Sequence, residues 1–138
     1  MQLNTHLNFN GQCEAAFKFY ETCLGGKINF MMKYGDSPMA AQAPPGFGSK
    51  IMHATFAIDG QTFYGADSPP GRYEKPQGFA VALNIKDPTE ADRVFAALEQ
   101  NGVVQMPIQE TFWAQRFGML VDQFGTPWMI NCEKPAAT

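Results

Sequence analysis

Four side chains of this sequence are well suited to chemistry. His6 lies in a short apolar stretch, His6-Leu7-Asn8-Phe9, and His53 stands near the start of another, Met52 to Ile58. An imidazole titrates near neutral pH and can act as base, acid or metal ligand. In an extended strand the same-face neighbours of His53 are Thr55 and Ala57, small residues that leave room around the ring. Glu110 belongs to the segment Gln109-Glu110-Thr111-Phe112-Trp113-Ala114-Gln115. A carboxyl beside Phe112 and Trp113 can have a raised pKa and serve as acid or base. Tyr64 offers a hydroxyl. Each also has a plainer role. His6 can be a hydrogen-bonded core or rim residue, and His53 can hold the end of a long loop. Glu110 can bond backbone or Arg116, and Tyr64 can simply pack. His53 and Glu110 are the catalytic candidates. His6, Tyr64, Glu110 and Trp113 are the substrate-binding candidates.

The remaining reactive groups have structural readings. Cys13, Cys23 and Cys132 are an odd count without zinc spacing, which argues against a disulfide framework and for buried thiols in a reducing cytosol. Met31, Met32 and Met39 fill core and loop gaps or line an apolar pocket. Phe124 and Trp128 are expected in hairpin and core packing, and Arg72 and Lys75 in solvent.

Composition bounds the class. The 138 residues are 45% hydrophobic and 17% charged, so one globular domain with a sizeable core is expected. The net charge of -3 supplies no basic footprint for nucleic acid. The longest wholly apolar run, Phe79 to Leu83, is too short to span a bilayer, and the first six residues lack the pattern of a signal peptide. A cytoplasmic protein is the expectation.

The elements that must position these residues come in two copies. A shift of 76 residues places Leu7-Asn8 on Leu83-Asn84, Glu14-Ala15 on Glu90-Ala91, Phe19 on Phe95 and Gly26 on Gly102, six identities in 20 positions. Short strands are expected at 6–9 and 79–85. The first helix runs from about Gln12 to Leu24 with Ala16, Phe17, Tyr20 and Leu24 on one side, and Gly25-Gly26 ends it. In the second, Asp87 caps, Pro88 takes the first position, Glu90 completes a capping box, and Ala91, Val94, Phe95 and Leu98 share a face. Asn101-Gly102 ends it, Gly102 being free to turn left-handed. Three strands follow each helix: 27–34, 52–58 and 61–66, then 103–108, 117–122 and 127–132. Asp59-Gly60 and Gln123 to Thr126 turn the hairpins. Each half reads βαβββ. Unit one is expected at about 1–66 and unit two at about 79–134, joined by a Pro/Gly-rich linker at 67–78. Gly35 to Lys50 is a long loop inside the first unit.

Paired βαβββ units of this size resemble the vicinal oxygen chelate superfamily, which includes glyoxalase I, bleomycin-resistance proteins, fosfomycin-resistance enzymes and extradiol dioxygenases. Gln109 to Ala114, Phe117-Gly118, and Asp122-Gln123-Phe124-Gly125-Thr126-Pro127-Trp128-Met129-Ile130-Asn131 resemble its PhnB-like branch. Phe9-Asn10-Gly11, Glu14-Ala15, Phe19-Tyr20 and Met52-His53-Ala54 do so too, and the resemblance covers nearly the whole chain. It implies an α+β fold, two tandem βαβββ units forming a curved eight-stranded cup, and a homodimer. It also implies a divalent metal held by the first and last strands of each unit, which acts as a Lewis acid on two neighbouring substrate oxygens. Carried over, the ligand positions are His6, Tyr64, Ala82 and Met129. Only His6 is a good ligand for zinc, iron or nickel, and a catalytic site needs about three. Glu133, the nearest carboxylate, lies past the last strand. The expectation is therefore no classical metal site and no cofactor, with His6 the one metal candidate. The branch is sometimes labelled a demethylubiquinone methyltransferase, but no Gly-rich loop follows a strand to bind S-adenosylmethionine.

The expected function is a small-molecule-binding cup. The alternatives are a divalent-metal-dependent glyoxalase or dioxygenase, a metal-free isomerase or lyase using His6, His53 or Glu110, and a dimeric structural module with a vestigial cup.

Overall fold

The computed structural model describes residues 1–136. The chain divides into two compact units, Met1–Lys75 and Pro76–Thr138. The first contains β1 (His6–Phe9), α1 (Cys13–Leu24), β2 (Lys27–Lys33), β3 (Ile51–Ile58) and β4 (Gln61–Asp67). The second contains β5 (Val81–Asn84), α2 (Pro88–Leu98), β6 (Val103–Gln109), β7 (Ala114–Val121) and β8 (Pro127–Glu133). The architecture is α+β with the expected βαβββ order twice. The eight strands form two separate four-stranded sheets, ordered β1-β4-β3-β2 and β5-β8-β7-β6, and neither closes into a barrel. In both, the short first strand pairs parallel to the last, and the other neighbours are antiparallel. Among the described residues no helix is long and apolar enough to cross a membrane.

Each helix covers one face of its own sheet. Phe17 and Tyr20 of α1 are fully buried, and Phe17 meets Phe9, Phe56 and Phe63 with ring centroids 5.5–6.0 Å apart. Burying a ring of this size contributes roughly 1.5–3 kcal/mol. The second unit buries Ala91, Val94, Phe95 and Leu98 of α2, with Leu120, Trp128 and Ile130 of its sheet also buried. Trp128 is core, as expected, and donates its indole N–H to Asp122 Oδ2 at 2.8 Å.

The repeat is less regular than its identities suggest. The buried helix positions are 13, 16, 17, 20 and 23 in α1 and 91, 94, 95 and 98 in α2; the first four of α1 match those of α2 at an offset of 78 rather than 76. Phe95 therefore fills the place of Phe17, and its identity with Phe19 is a coincidence of alignment. The offset of 76 holds at the first strands and again at Gly26 and Gly102. A Cβ at Gly26 would stand 2.6 Å from the Ala57 carbonyl oxygen, and one at Gly102 2.5 Å from that of Val121. The connections before the two helices are equally long, so the slip lies in where the buried face begins: at the first residue of α1 and at the fourth of α2.

The helix starts differ as well. Asp87 caps α2 locally, accepting from the Thr89 N–H at 3.0 Å. Glu90 does not complete a capping box; it pairs with Arg93 instead. Gln12 gives α1 no side-chain cap. The Cys13 N–H is satisfied by Asp67 Oδ1 at 2.9 Å, while Asp67 Oδ2 accepts from the Ile51 N–H at 2.8 Å. One buried carboxylate thus ties the helix start, β3 and β4 together. After α2 the left-handed residue is Asn101 (φ 58°), not Gly102, which is needed for close approach.

Three other expectations shift. The strand expected from Phe117 begins at Ala114, and the one expected at 79–85 shortens to Val81–Asn84. The loop after β2 is ordered by two 3-10 turns, at Tyr34–Asp36 and Ala40–Gln42. Its neck is closed by Tyr34 N–H to Lys50 O and Gly35 N–H to Gly48 O, both 2.9 Å, and His53 takes no part in those bonds. The outer strands β2 and β6 are each interrupted by two register shifts. Exposed lysines end β2, and β6 carries Pro107.

Candidate functional site

Strand alternation sends every second side chain away from the helix. In the first unit Leu7, Phe9, Phe56 and Phe63 face α1, so His6, Tyr64, Thr55, His53 and Phe30 lie on the uncovered face. The strand register lines four of them up. His6 pairs with Tyr64, Tyr64 with Thr55, and Thr55 with Phe30, a row across all four strands. His53 pairs with Met32 in the next row and sets its ring 5.6 Å from that of Tyr64 and 6.1 Å from that of Phe30. Three sequence candidates, His6, His53 and Tyr64, thus meet on one face. Among the described residues, no side-chain hydrogen bond joins any of the three to the chain, so their bonding capacity is free for a ligand.

His6 is exposed at the surface of the sheet, but partial desolvation of its ring, and then the nearby His53, hold the imidazole below its ordinary value of 6.5. At neutral pH it is an uncharged ring with one nitrogen able to accept a hydrogen bond or a proton. Tyr64 supplies a hydroxyl on the neighbouring strand, and Thr55 one on the strand beyond it. Phe30, 45% exposed, supplies a flat apolar surface. The face can therefore hydrogen-bond an uncharged polar group and stack a planar one.

The other candidates belong to the second unit. Glu110 follows β6, its side chain is exposed, and it pairs with Lys134 at 3.4 Å. Neither partner proposed from sequence holds it by its side chain: Arg116 bonds Asp92 of α2 at 3.1 Å instead. Trp113 is half exposed on a tight turn, where Thr111 N–H bonds Ala114 O and Ala114 N–H bonds Thr111 Oγ1, each at 3.0 Å. It packs edge-on against Phe117 at 5.3 Å.

The second unit repeats the row in register but not in chemistry. Ala82 pairs with Met129, Met129 with Met119, and Met119 with Met106. These pairings put Ala82 and Met129 where the first unit has His6 and Tyr64, the correspondence drawn from the repeat. The residues at the four positions where the resemblance implies a metal, His6, Tyr64, Ala82 and Met129, do not fit a divalent ion, since only one is a strong ligand for it. A groove of about 490 Å³ in this unit is lined by Asn84, Ile85, Lys86, Gln115, Glu133 and Pro135, none of them a sequence candidate.

Sequence reasoning missed Phe30 as a site residue and named Thr55 only as a space-leaver. The pairing of Phe30 with Thr55 depends on a bulge between Ile28 and Phe30, for which the sequence carries no marker.

A family model described as 3-demethylubiquinone-9 3-methyltransferase matches residues 1–131. The chain is 35% identical to Protein YjdN of Escherichia coli K12 over 146 residues, covering all of this chain and 99% of that one. Among solved structures it is similar to protein PA1353 of Pseudomonas aeruginosa, with 41% identity, TM-score 0.89, and 98% and 99% of the two chains covered. It is also similar to a Bacillus cereus PhnB protein described as a putative 3-demethylubiquinone-9 3-methyltransferase, with 27% identity, TM-score 0.81, and 96% and 99% covered. A glyoxylase/bleomycin resistance protein/dioxygenase domain from Frankia, 11% identical with TM-score 0.66 over 97% and 98% of the two chains, shares the fold.

Proposed function

We propose a small-molecule-binding role for this chain, which belongs to the PhnB-type family described as 3-demethylubiquinone-9 3-methyltransferase and has the glyoxalase/bleomycin resistance/dioxygenase fold. The observation that carries the reading is the row His6–Tyr64–Thr55–Phe30, with His53 against Tyr64, on a face no helix covers. The ligand is an uncharged, partly planar organic molecule with an oxygen that accepts from Tyr64 and a donor that bonds neutral His6. The second unit by itself offers a separate contact surface for a small molecule at its β6–β7 turn, made by Trp113 and less directly by Glu110. The protein acts as a cytoplasmic homodimer without a classical metal site.

A second reading, metal-free isomerase or lyase chemistry, is favoured by the contact between His53 and Tyr64. His53 or His6 would remove a proton, and the Tyr64 hydroxyl would donate to the oxygen that gains charge. Glu110, exposed and paired with Lys134, is the weaker base. The competing metal-dependent reading is tested by elemental analysis after equilibration with Zn, Ni, Mn and Fe(II). Near-stoichiometric metal that is lost in His6→Ala would overturn the proposal.

The direct test is a thermal-shift screen of small uncharged carbonyl and aromatic compounds. Ligand at 100 times its Kd stabilises the fold by about 2.7 kcal/mol. A hit should raise Tm, perturb the His6 and His53 imidazole signals in NMR spectra, and lose at least ten-fold in affinity in Tyr64→Phe. A hit that leaves both imidazoles unmoved and binds Tyr64→Phe normally would refute the site. Light scattering and cell fractionation check the homodimer and its compartment.

A further inference from the structure

The geometry points to a soft monovalent metal site, for Cu(I) or its redox-inert analogue Ag(I), formed by Met106, Met119 and Met129 on the uncovered face of the second unit. The three methionines sit on adjacent strands β6, β7 and β8 in one row: Met106 opposite Met119, and Met119 opposite Met129. Directly opposed residues of a regular antiparallel ladder have Cβ atoms about 4.5–5.5 Å apart, which applies to Met119 and Met129; Met106 stands between the two register shifts of β6 and joins the row through its pairing with Met119. A methionine has three rotatable side-chain bonds, so three thioether sulfurs on such a row can converge on one ion.

Thioethers select soft ions such as Cu(I) and are poor ligands for zinc, magnesium or manganese. Among the described residues no group of three His, Cys, Asp or Glu could hold a metal, so a harder ion finds no comparable set here. The alternative is that the methionines merely fill space. Gap-filling methionines belong in a core, yet Met106 is 37% exposed, and Met119 and Met129 are half-buried. The frame does not require them either, since the first unit builds the same row from His6, Tyr64, Thr55 and Phe30. The three thiols are weak competitors. All are buried, and burial, then the charges of Asp67 and Glu14, push the Cys13 thiol well above its usual range.

This inference is independent of the ligand proposed for the first unit. The test uses the full chain with [13C-methyl]methionine, titrated anaerobically with Ag(I), and with Cu(I) against a colorimetric chelator. The expected result is one equivalent bound, with the methyl signals of Met106, Met119 and Met129 shifting and that of Met39 still. Met119→Leu keeps the apolar volume but removes one sulfur, and affinity should fall at least ten-fold with Tm little changed. If Met119→Leu does not fold, the more exposed Met106→Leu serves the same purpose. Methionine signals that stay fixed, ion taken up by the cysteines instead, or wild-type affinity in the folded leucine variant would each overturn the assignment.

Discussion

The uncovered faces of the two units occupy the same frame and carry opposite chemistry. Across β1-β4-β3-β2 the first unit presents imidazole, phenol, hydroxyl and phenyl. Across β5-β8-β7-β6 the second presents a methyl and three thioethers. The helix-facing sides have not diverged in this way. Both bury aromatic and aliphatic residues at equivalent positions, and both need a glycine where the first outer strand begins. Packing against the helix constrains the covered side of each sheet, and the open side is free to differ in chemistry.

Four comparisons between variants put pressure on that division. The largest effect is expected from Asp67→Ala, which strands the buried N–H groups of Cys13 and Ile51. An unsatisfied buried donor costs about 1–3 kcal/mol, so a loss of about 3 kcal/mol is expected in urea unfolding. Its functional counterpart, Asp87→Ala, removes one exposed cap and should cost only about 1 kcal/mol. Equal costs would mean that the helices are not anchored differently.

Next come Gly26→Ala and Gly102→Ala, each forcing a methyl against a carbonyl oxygen of the adjacent strand. Losses of about 2 kcal/mol, matched between the two, are expected from denaturation midpoints. A clear mismatch would break the structural equivalence at this offset. Exchanging the open faces should matter much less. Tyr64→Met and Met119→Thr should each change stability by no more than about 0.5 kcal/mol, because neither touches the helix-facing core. A loss of several kcal/mol in either would show that the open face is structural.

The smallest effect is a pH dependence. His6 prefers its neutral form in the fold, so on acidification the unfolded chain takes up its proton first. Its contribution to stability is complete above the ordinary value of 6.5 and is lost as pH falls through 6.5 toward the lower folded value. The imidazole should titrate below 6.5 by NMR, and its midpoint should rise in His53→Gln. His6→Gln should flatten the slope of stability against pH in that window. A midpoint at or above 6.5 would contradict the partial desolvation of the His6 ring.

The frame could be read from sequence because its signals are local. Asp59-Gly60, Asp87-Pro88 and the spacing of Ala91, Val94, Phe95 and Leu98 each mark one element by themselves. The equivalence of Tyr64 and Met129 also emerged, because it needed only two turns and a parallel strand. The site emerged in part. His6, His53 and Tyr64 were visible as reactive types, but their meeting depends on register across three strands. Phe30 escaped because a bulge re-aims it, and the methionine row because its members are 10 to 23 residues apart in the chain. Asp67 looked like the start of a linker. Its role as the cap of a helix begun 54 residues earlier is set wholly by tertiary structure.

The broken outer strands have a consequence for how these molecules meet one another. A long, flat strand at a sheet margin is a template on which another chain can polymerise. Here β2 is kinked twice and ends in lysines, β6 is kinked twice and lacks an amide proton at Pro107, and the opposite margins, β1 and β5, are four residues long. Backbone-to-backbone stitching into fibrils is thereby discouraged at every margin. In a crowded solution, recognition between copies falls to side-chain surfaces, where it can be tuned one residue at a time.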